Sequence, residues 1–257
     1  MGYPPGTARA IGQSLRLYHG DAAQARRMDA LHARLVPRGG MAFDIGAHVG
    51  DRVSSFRRLG ARVVAVEPQP AAFRALRLIH GRDGGVVLIE AAAGAAAGVV
   101  ALHLNTANPT VATASPDFID AARDAPGWEG QVWDDVVEVE RVTLDALIAR
   151  HGTPDFIKID VEGLEDEVLA GLSAAVPALS FEITTIRRAV ALRALERVAR
   201  LGGYRFNLSL GEAHRFEHDR WLTADAMARA LAALPGAANS GDVYARLAGS
   251  GGEEGLQ

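Results

Sequence analysis

Charged side chains fall in this sequence where a folded chain would bury them. The stretch Phe156-Ile157-Lys158-Ile159-Asp160-Val161-Glu162-Gly163-Leu164-Glu165 begins as a short apolar run after Pro154, the pattern of a strand covered on both faces of a parallel sheet. Lys158, Asp160 and Glu162 interrupt it, and charges are almost never buried without partners or a task. Lys158 is the only lysine among 27 basic residues. Codon bias accounts for the arginines elsewhere; a compact ammonium of adjustable pKa suits this one position. Three other apolar runs also carry a carboxylate near their ends: Asp44 in the run from Met41 to Gly46, Glu67 after Arg62-Val63-Val64-Ala65-Val66, and Glu182 in the run from Ala178 to Ile183. As strands of one parallel sheet, these runs would gather Asp44, Glu67, Asp160 and Glu182 around one crevice. Four carboxylates repel one another there unless a sulfonium, an ammonium or a divalent metal joins them.

The elements that must position these residues alternate between strand and helix patterns. Their order predicts an α/β fold, a doubly wound and mostly parallel sheet with helices on both faces. After the first strand, Gly46-Ala47-His48-Val49-Gly50-Asp51 leads into a helix from Arg52 to Leu59. Glycines at 46 and 50 let the backbone approach a ligand closely, so Gly46, Ala47, His48 and Gly50 read as a nucleotide-type loop. The dinucleotide fingerprint needs glycine where Asp44 stands, which disfavours NAD; an acidic residue there suits a ligand bearing an ammonium. Glu67, closed by Pro68, lies about 20 residues beyond the loop, where an acidic side chain accepts both ribose hydroxyls of an adenosine. The small-residue segment Ala91 to Gly98, Ala92 included, is expected to be flexible and to pass close to an adenine ring.

Residues 1–37 are expected to form two helices divided at Gly20-Asp21, with Asp21 capping the second. They would cover one sheet face or act as a lid presenting Arg16 or Tyr18. The main domain spans 38–247. Within it, residues 106–135 lack periodicity and combine Phe118, Trp128 and Trp133 with six carboxylates, either an insertion on the acceptor side or a loop anchored on the core by its tryptophans. Asn108-Pro109-Thr110 reads as turn chemistry. Residues 248–257 are expected to be a disordered tail.

Composition narrows the classes of partner. A net charge of −4 argues against nucleic acid, which calls for a basic face. There is no cysteine, so disulfides and thiolate metal sites are excluded. The amino terminus lacks a signal-peptide pattern and no run is long enough to span a bilayer, so a cytoplasmic protein without a membrane partner is expected.

These residues resemble the FkbM family of S-adenosylmethionine-dependent methyltransferases. The resemblance lies in Phe43-Asp44-Ile45-Gly46-Ala47-His48-Val49-Gly50-Asp51, Val66-Glu67-Pro68, Lys158 to Glu165 and Ser180-Phe181-Glu182, with further likeness at 203–207 and 240–244. His48 stands where the family often has asparagine. The resemblance implies a seven-stranded Rossmann-like sheet with a reversed last strand, S-adenosylmethionine as cofactor, and transfer of its methyl group to a hydroxyl of a small molecule, often a sugar or polyketide-type natural product. Cofactor residues would be Asp44, Gly46, Ala47, His48, Gly50, Glu67, Pro68 and Ala92. An alcohol is a poor nucleophile while protonated, so Asp160, with Glu182, would take the hydroxyl proton or hold a divalent cation such as Mg that polarises it. Lys158 shares the strand face of Asp160 and would orient it, stabilise a developing alkoxide, or form an internal ion pair. Glu162 and Glu165 would complement a helix amino end. A cofactor-binding module without activity of its own is the alternative from another class. Nucleic-acid methylation is disfavoured by the acidic balance and by the lack of an Asn-Pro-Pro-aromatic run.

Overall fold

Each apolar run with a terminal carboxylate becomes a strand of one sheet. The computed structural model describes residues 6–249. In chain order they form α1 (Thr7–His19), α2 (Ala22–His32), β1 (Met41–Ile45), α3 (Asp51–Arg58), β2 (Arg62–Val66), α4 (Pro70–His80), β3 (Val86–Ile89), β4 (Ala92–Ala93), β5 (Gly98–Leu104), α5 (Pro116–Ala122), β6 (Asp135–Val142), α6 (Leu144–His151), β7 (Phe156–Ile159), α7 (Glu165–Ala170), β8 (Ala178–Thr184), α8 (Arg188–Leu201), β9 (Tyr204–Leu210), α9 (Ala224–Ala233) and β10 (Ser240–Leu247). Seven strands run in the order β3-β2-β1-β7-β8-β10-β9. All pair in parallel except β10, which is antiparallel to both β8 and β9. This is the Rossmann-like sheet with a reversed last strand that the resemblance implies.

Side-chain alternation divides the core into two layers. Phe43, Ile45, Ile157, Ile159, Leu179, Phe181 and Val243 point to one face, where they meet α6, α7, α8 and α9 through Leu147, Leu169, Ala194, Leu195 and Leu231. Ala42, Phe156, Ala178 and Tyr244 point to the other and meet Leu31 of α2, Val53 and Phe56 of α3, and Leu76 of α4. Of the amino-terminal helices, α2 therefore belongs to the second core layer, whereas Ile11, Leu15 and Tyr18 of α1 pack in a smaller cluster with Val49 and with Ala71, Ala72 and Ala75 of α4. Asp21 caps α2 by accepting from Ala23 N at 2.7 Å and Gln24 N at 3.1 Å.

Two segments differ from expectation. The segment from Ala91 to Gly98 is not free: Ala92 and Ala93 pair with Arg141 and Val142 of β6, in a small second sheet ordered β4-β6-β5. Residues 106–135 hold a 3₁₀ turn at Pro109–Val111 and the helix α5, capped by the Ser115 hydroxyl. The seven residues of α5 are too few to display a helical period. Phe118 of α5 packs edge-on against Trp128 and Trp133, at 5.2 and 6.3 Å between ring centroids, so the insertion has a core of its own. The tail expected at 248–257 lies outside the described residues from 250 onward.

Lys158, 3% exposed, lies on the α2–α3 face. Its register neighbours are Asp44 on β1 and Ser180 on β8. Across the small Ser180 its Nζ reaches Asp242 of β10, bonding Oδ1 at 2.5 Å, and it donates to Asp160 Oδ2 at 3.3 Å. One ammonium thus joins the parallel half of the sheet to the reversed strand. Removing one member of such a pair leaves a buried charge uncompensated, so Lys158→Met is expected to destabilise the fold by about 3–5 kcal/mol in denaturant unfolding. An unchanged midpoint would mean that the ion pair does not hold β7 to β10.

Candidate active site

Where the strand order reverses, between β1 and β7, the carboxyl ends of the parallel strands open onto a cleft of about 330 Å³. A doubly wound sheet places its ligand crevice there. Asp44, Gly46, Ala47, His48, Glu67, Pro68 and Ala92 lie on its wall, as do Lys158, Asp160 and Glu182. Gly50 is the one expected site residue off the wall. It caps α3 with φ 83°, and a Cβ there would come within 2.5 Å of Leu76 and 2.9 Å of His80. Gly46 is on the wall, but its missing side chain likewise answers to the protein: at φ 85° a Cβ would stand 1.7 Å from the Asp160 carbonyl oxygen. Packing and dihedral each require glycine at both positions.

The amides of Gly46, Ala47, His48 and Gly50 are engaged within the protein. Gly46 N and Ala47 N donate to Val66 O at 2.9 and 3.0 Å, and Gly50 N to Ala47 O at 2.8 Å. His48, in a left-handed conformation at φ 47°, donates its N–H to Glu67 Oε2 at 2.7 Å. This conformation is the one asparagine and histidine adopt more readily than most residues. Glu67 also accepts from Gln69 N at 2.8 Å through Oε1. Each Glu67 oxygen so oriented keeps lone-pair capacity for a ligand hydroxyl.

Burial dominates the electrostatics. It raises Asp44 to about 7, with the charge of Asp51 adding to it. It raises Glu67 to about 7 against the opposing effect of its two backbone donors. His48 falls to about 4 and is neutral. Glu162 and Glu182 stand well above the usual carboxylate range, through burial and then the charge of Asp160. Burial would lower Lys158, but Asp160 and Asp242 outweigh it and hold the ammonium well above its usual value.

Other residues on or beside the wall stand where the sequence did not place them, or carried no signal in it. Glu162, at φ 57°, has its carbonyl held by the Thr113 hydroxyl at 2.7 Å. Its carboxylate belongs to the cleft and not to a helix end. Glu165 is the first-turn acid of α7, as expected, and also accepts from Val161 N and Gly163 N through Oε1, fixing the turn that carries Glu162. Glu182 lies two residues inside β8, not at its end. Arg52 bonds Asp51 at 2.5 Å and Glu212, from the loop after β9, at 2.9 Å. Thr110 of the 3₁₀ turn and Tyr18 of α1 complete the rim, whereas Arg16 is exposed and off the wall. Trp128 both lines the cleft and anchors the insertion, donating its indole N–H to Asn239 Oδ1 at 3.1 Å; Trp133 donates to Val111 O at 2.8 Å.

Asp44 keeps its proton in the native state to a pH well above 3.8, its ordinary value. The native state therefore binds more protons than the unfolded chain in that window, and this residue's contribution falls as pH rises toward 7. Asp44→Asn should gain stability relative to the native chain between about pH 5 and pH 7, on the order of 2 kcal/mol. Unfolding curves at several pH values measure it, and a constant difference would contradict the assignment.

The fit to an adenosyl cofactor rests on this bonding. Asp44, 2% exposed, has an Oδ2 without a hydrogen-bond partner and lines the cleft. Four bonded amides and two open carboxylates suit a cation and hydroxyl donors.

A family model described as the methyltransferase FkbM domain matches residues 44–227. No curated protein matches the sequence. Solved structures that align with it include a TehB-like SAM-dependent methyltransferase from Corynebacterium glutamicum, at 13% identity and TM-score 0.48, covering 95% of this chain and 100% of that one. An O-methyltransferase from Bacillus cereus, solved with SAH, aligns at 11% identity and TM-score 0.46, covering 93% and 90%. A precorrin-6y C5,15-methyltransferase from Geobacter metallireducens aligns at 14% identity and TM-score 0.43, covering 88% and 86%. The family match takes in most of the chain, β1 to α9, and every carboxylate of the cleft: the chain belongs to the FkbM family of methyltransferases.

Proposed function

We propose that the protein moves the methyl group of S-adenosylmethionine to a hydroxyl of a small-molecule acceptor, a sugar or polyketide-type natural product. What carries the proposal is the bonding of the loop at 46–50, whose amides at Gly46, Ala47, His48 and Gly50 are taken while Asp44 and Glu67 keep open acceptor capacity. A phosphate-bearing cofactor would find these four amides already occupied, and an adenosyl cation finds acceptors. Glu67 would hold the ribose hydroxyls, Asp44 the ammonium, and Pro68, Ala91 and Ala92 the adenine. Gly46, Ala47 and His48 would form the near wall. When bound, the cofactor supplies an electrophilic methyl group on a sulfonium.

The protein's task is then to align the acceptor and receive its proton in a site closed to water. Asp160, at the end of β7 and 3.3 Å from the Lys158 ammonium, is the group assigned to take the hydroxyl proton, with Glu182 beside it. Lys158 acts as a positioning residue, held from behind by Asp242. A divalent cation such as Mg is the second way to activate the hydroxyl. Asp160 and Glu182, together with Glu162, each offer an oxygen within 4.8 Å of the others. In this proposal the protein acts in the cytoplasm, on neither nucleic acid nor membrane; no described helix is long and apolar enough to cross a bilayer.

Calorimetry with S-adenosylhomocysteine should show binding that Glu67→Ala weakens at least about tenfold, through loss of two charge-assisted hydrogen bonds. Absence of binding to the native protein would sink the methyl-transfer proposal. Asp160→Asn should leave that affinity unchanged and lower turnover of a glycoside acceptor by about 10²-fold or more; native turnover would remove Asp160 as the base. Full activity in chelator would discard the metal route, and loss restored by Mg would establish it.

A further inference from the structure

Arg52 and Lys158 are the basic groups on the cleft wall, and both already have partners. Arg52 is bonded to Asp51 and Glu212. Lys158 is bonded to Asp242 and Asp160. Glu162 and Glu182, by contrast, have no basic partner within ion-pair distance among the described residues. Their carboxylate oxygens and one from Asp160 lie within 4.8 Å of one another. Glu182 Oε2 is shut off from solvent without a hydrogen-bond partner, and so is Asp44 Oδ2 on the same cavity wall. The assigned cofactor carries a sulfonium, an ammonium and one carboxylate, and its ammonium goes to Asp44. The acceptor side is left with two carboxylates and no cation to meet them.

We infer that the acceptor carries a protonated amine beside its hydroxyls, as amino sugars and amino polyols do, and that Glu162 and Glu182 hold this amine. The inference rests on the methyl-transfer proposal. The same wall disfavours acceptors bearing phosphate or carboxylate groups, because an anion there would find both basic side chains already paired. A divalent ion suits the place less well than a single positive charge. The Lys158 ammonium stands within hydrogen-bond distance of Asp160, fixed by Asp242, and would repel a dication on that carboxylate. Mg also requires near-octahedral geometry and retains several waters. Thr184, Asn239 and Ser240 line the cavity close in sequence to the reversed strand and its partner, and they offer hydroxyl and amide groups suited to a polyol. Asn239 is tied to Trp128, so the insertion roofs this side of the cleft.

Four methyl glycosides alike except for one substituent test the inference: a free amine, its N-acetyl derivative, a hydroxyl and a carboxylate. Transfer of labelled methyl from S-adenosylmethionine is measured near neutral pH with chelator present. Binding of each glycoside to protein saturated with S-adenosylhomocysteine is measured by calorimetry. The amine is expected to have a KM at least about tenfold below those of the N-acetyl and hydroxyl compounds, the carboxylate is expected not to bind, and Glu162→Gln is expected to reduce the preference for the amine. Equal binding of amine and N-acetyl compound overturns the inference, as does tighter binding of the carboxylate. Failure of all four to bind alongside S-adenosylhomocysteine overturns it and leaves the cofactor assignment standing. A site that accepts the neutral compound only with added Mg belongs to a metal, which also overturns it. Failure of S-adenosylhomocysteine itself to bind overturns the methyl-transfer proposal and this inference together.

Discussion

A lysine ammonium inside a two-faced sheet persists only if counter-charges reach it from the neighbouring strands, and this constraint shapes the centre of the protein. Lys158 satisfies it in two directions, toward Asp242 on the reversed strand and toward Asp160 at the mouth of the cleft. The shorter bond goes to the group off the cleft wall, so Asp160 is oriented while the cleft-facing side of its carboxylate stays available. Ser180, small and wholly buried in the strand between, leaves room for the lysine stem to cross β8. Replacing it by a large residue would deny Lys158 its partner on β10.

From that centre the cleft divides by charge and bonding. On the side of β1 and β2, the loop turns its amides inward and leaves Asp44 and Glu67 facing the cavity, an environment for a cation and a ribose. On the side of β7 and β8, Asp160, Glu162 and Glu182 crowd together, and the insertion closes over them through Trp128. The strained backbone at Glu162 is held by Thr113 from the insertion and by Glu165 through the flanking amides. Backbone in so sparsely populated a conformation persists where surrounding structure over-determines it, commonly at functional sites.

Much of this was legible in the sequence because burial on both faces leaves a plain signature. The runs at 41–46, 62–67, 156–160 and 178–183 are nearly continuous apolar segments, and a carboxylate within such a run is conspicuous. The sheet and the gathering of Asp44, Glu67, Asp160 and Glu182 followed from that alone. What escaped notice has no local pattern. Asp242 and Lys158 are 84 positions apart and meet only through the reversed strand. Arg52 and Glu212 meet across 160 positions. Glu162 reads as a helix-end acid until its backbone turns left-handed, and α5 spans too few residues for periodicity to register. Gly50 lies off the wall for a related reason: a glycine that packs against Leu76 and His80 looks, in sequence, like one needed by a ligand.

The central claim is that the carboxylates at the strand ends, and not the loop amides, are what the cofactor meets. A crystal structure of the protein with S-adenosylhomocysteine tests it most directly. The account predicts ribose hydroxyls on the Glu67 carboxylate, the ammonium within reach of Asp44, and the amides of Gly46, Ala47 and His48 still bonded to Val66 and Glu67. A ligand bound through those amides, or seated away from Glu67 and Asp44, would contradict it.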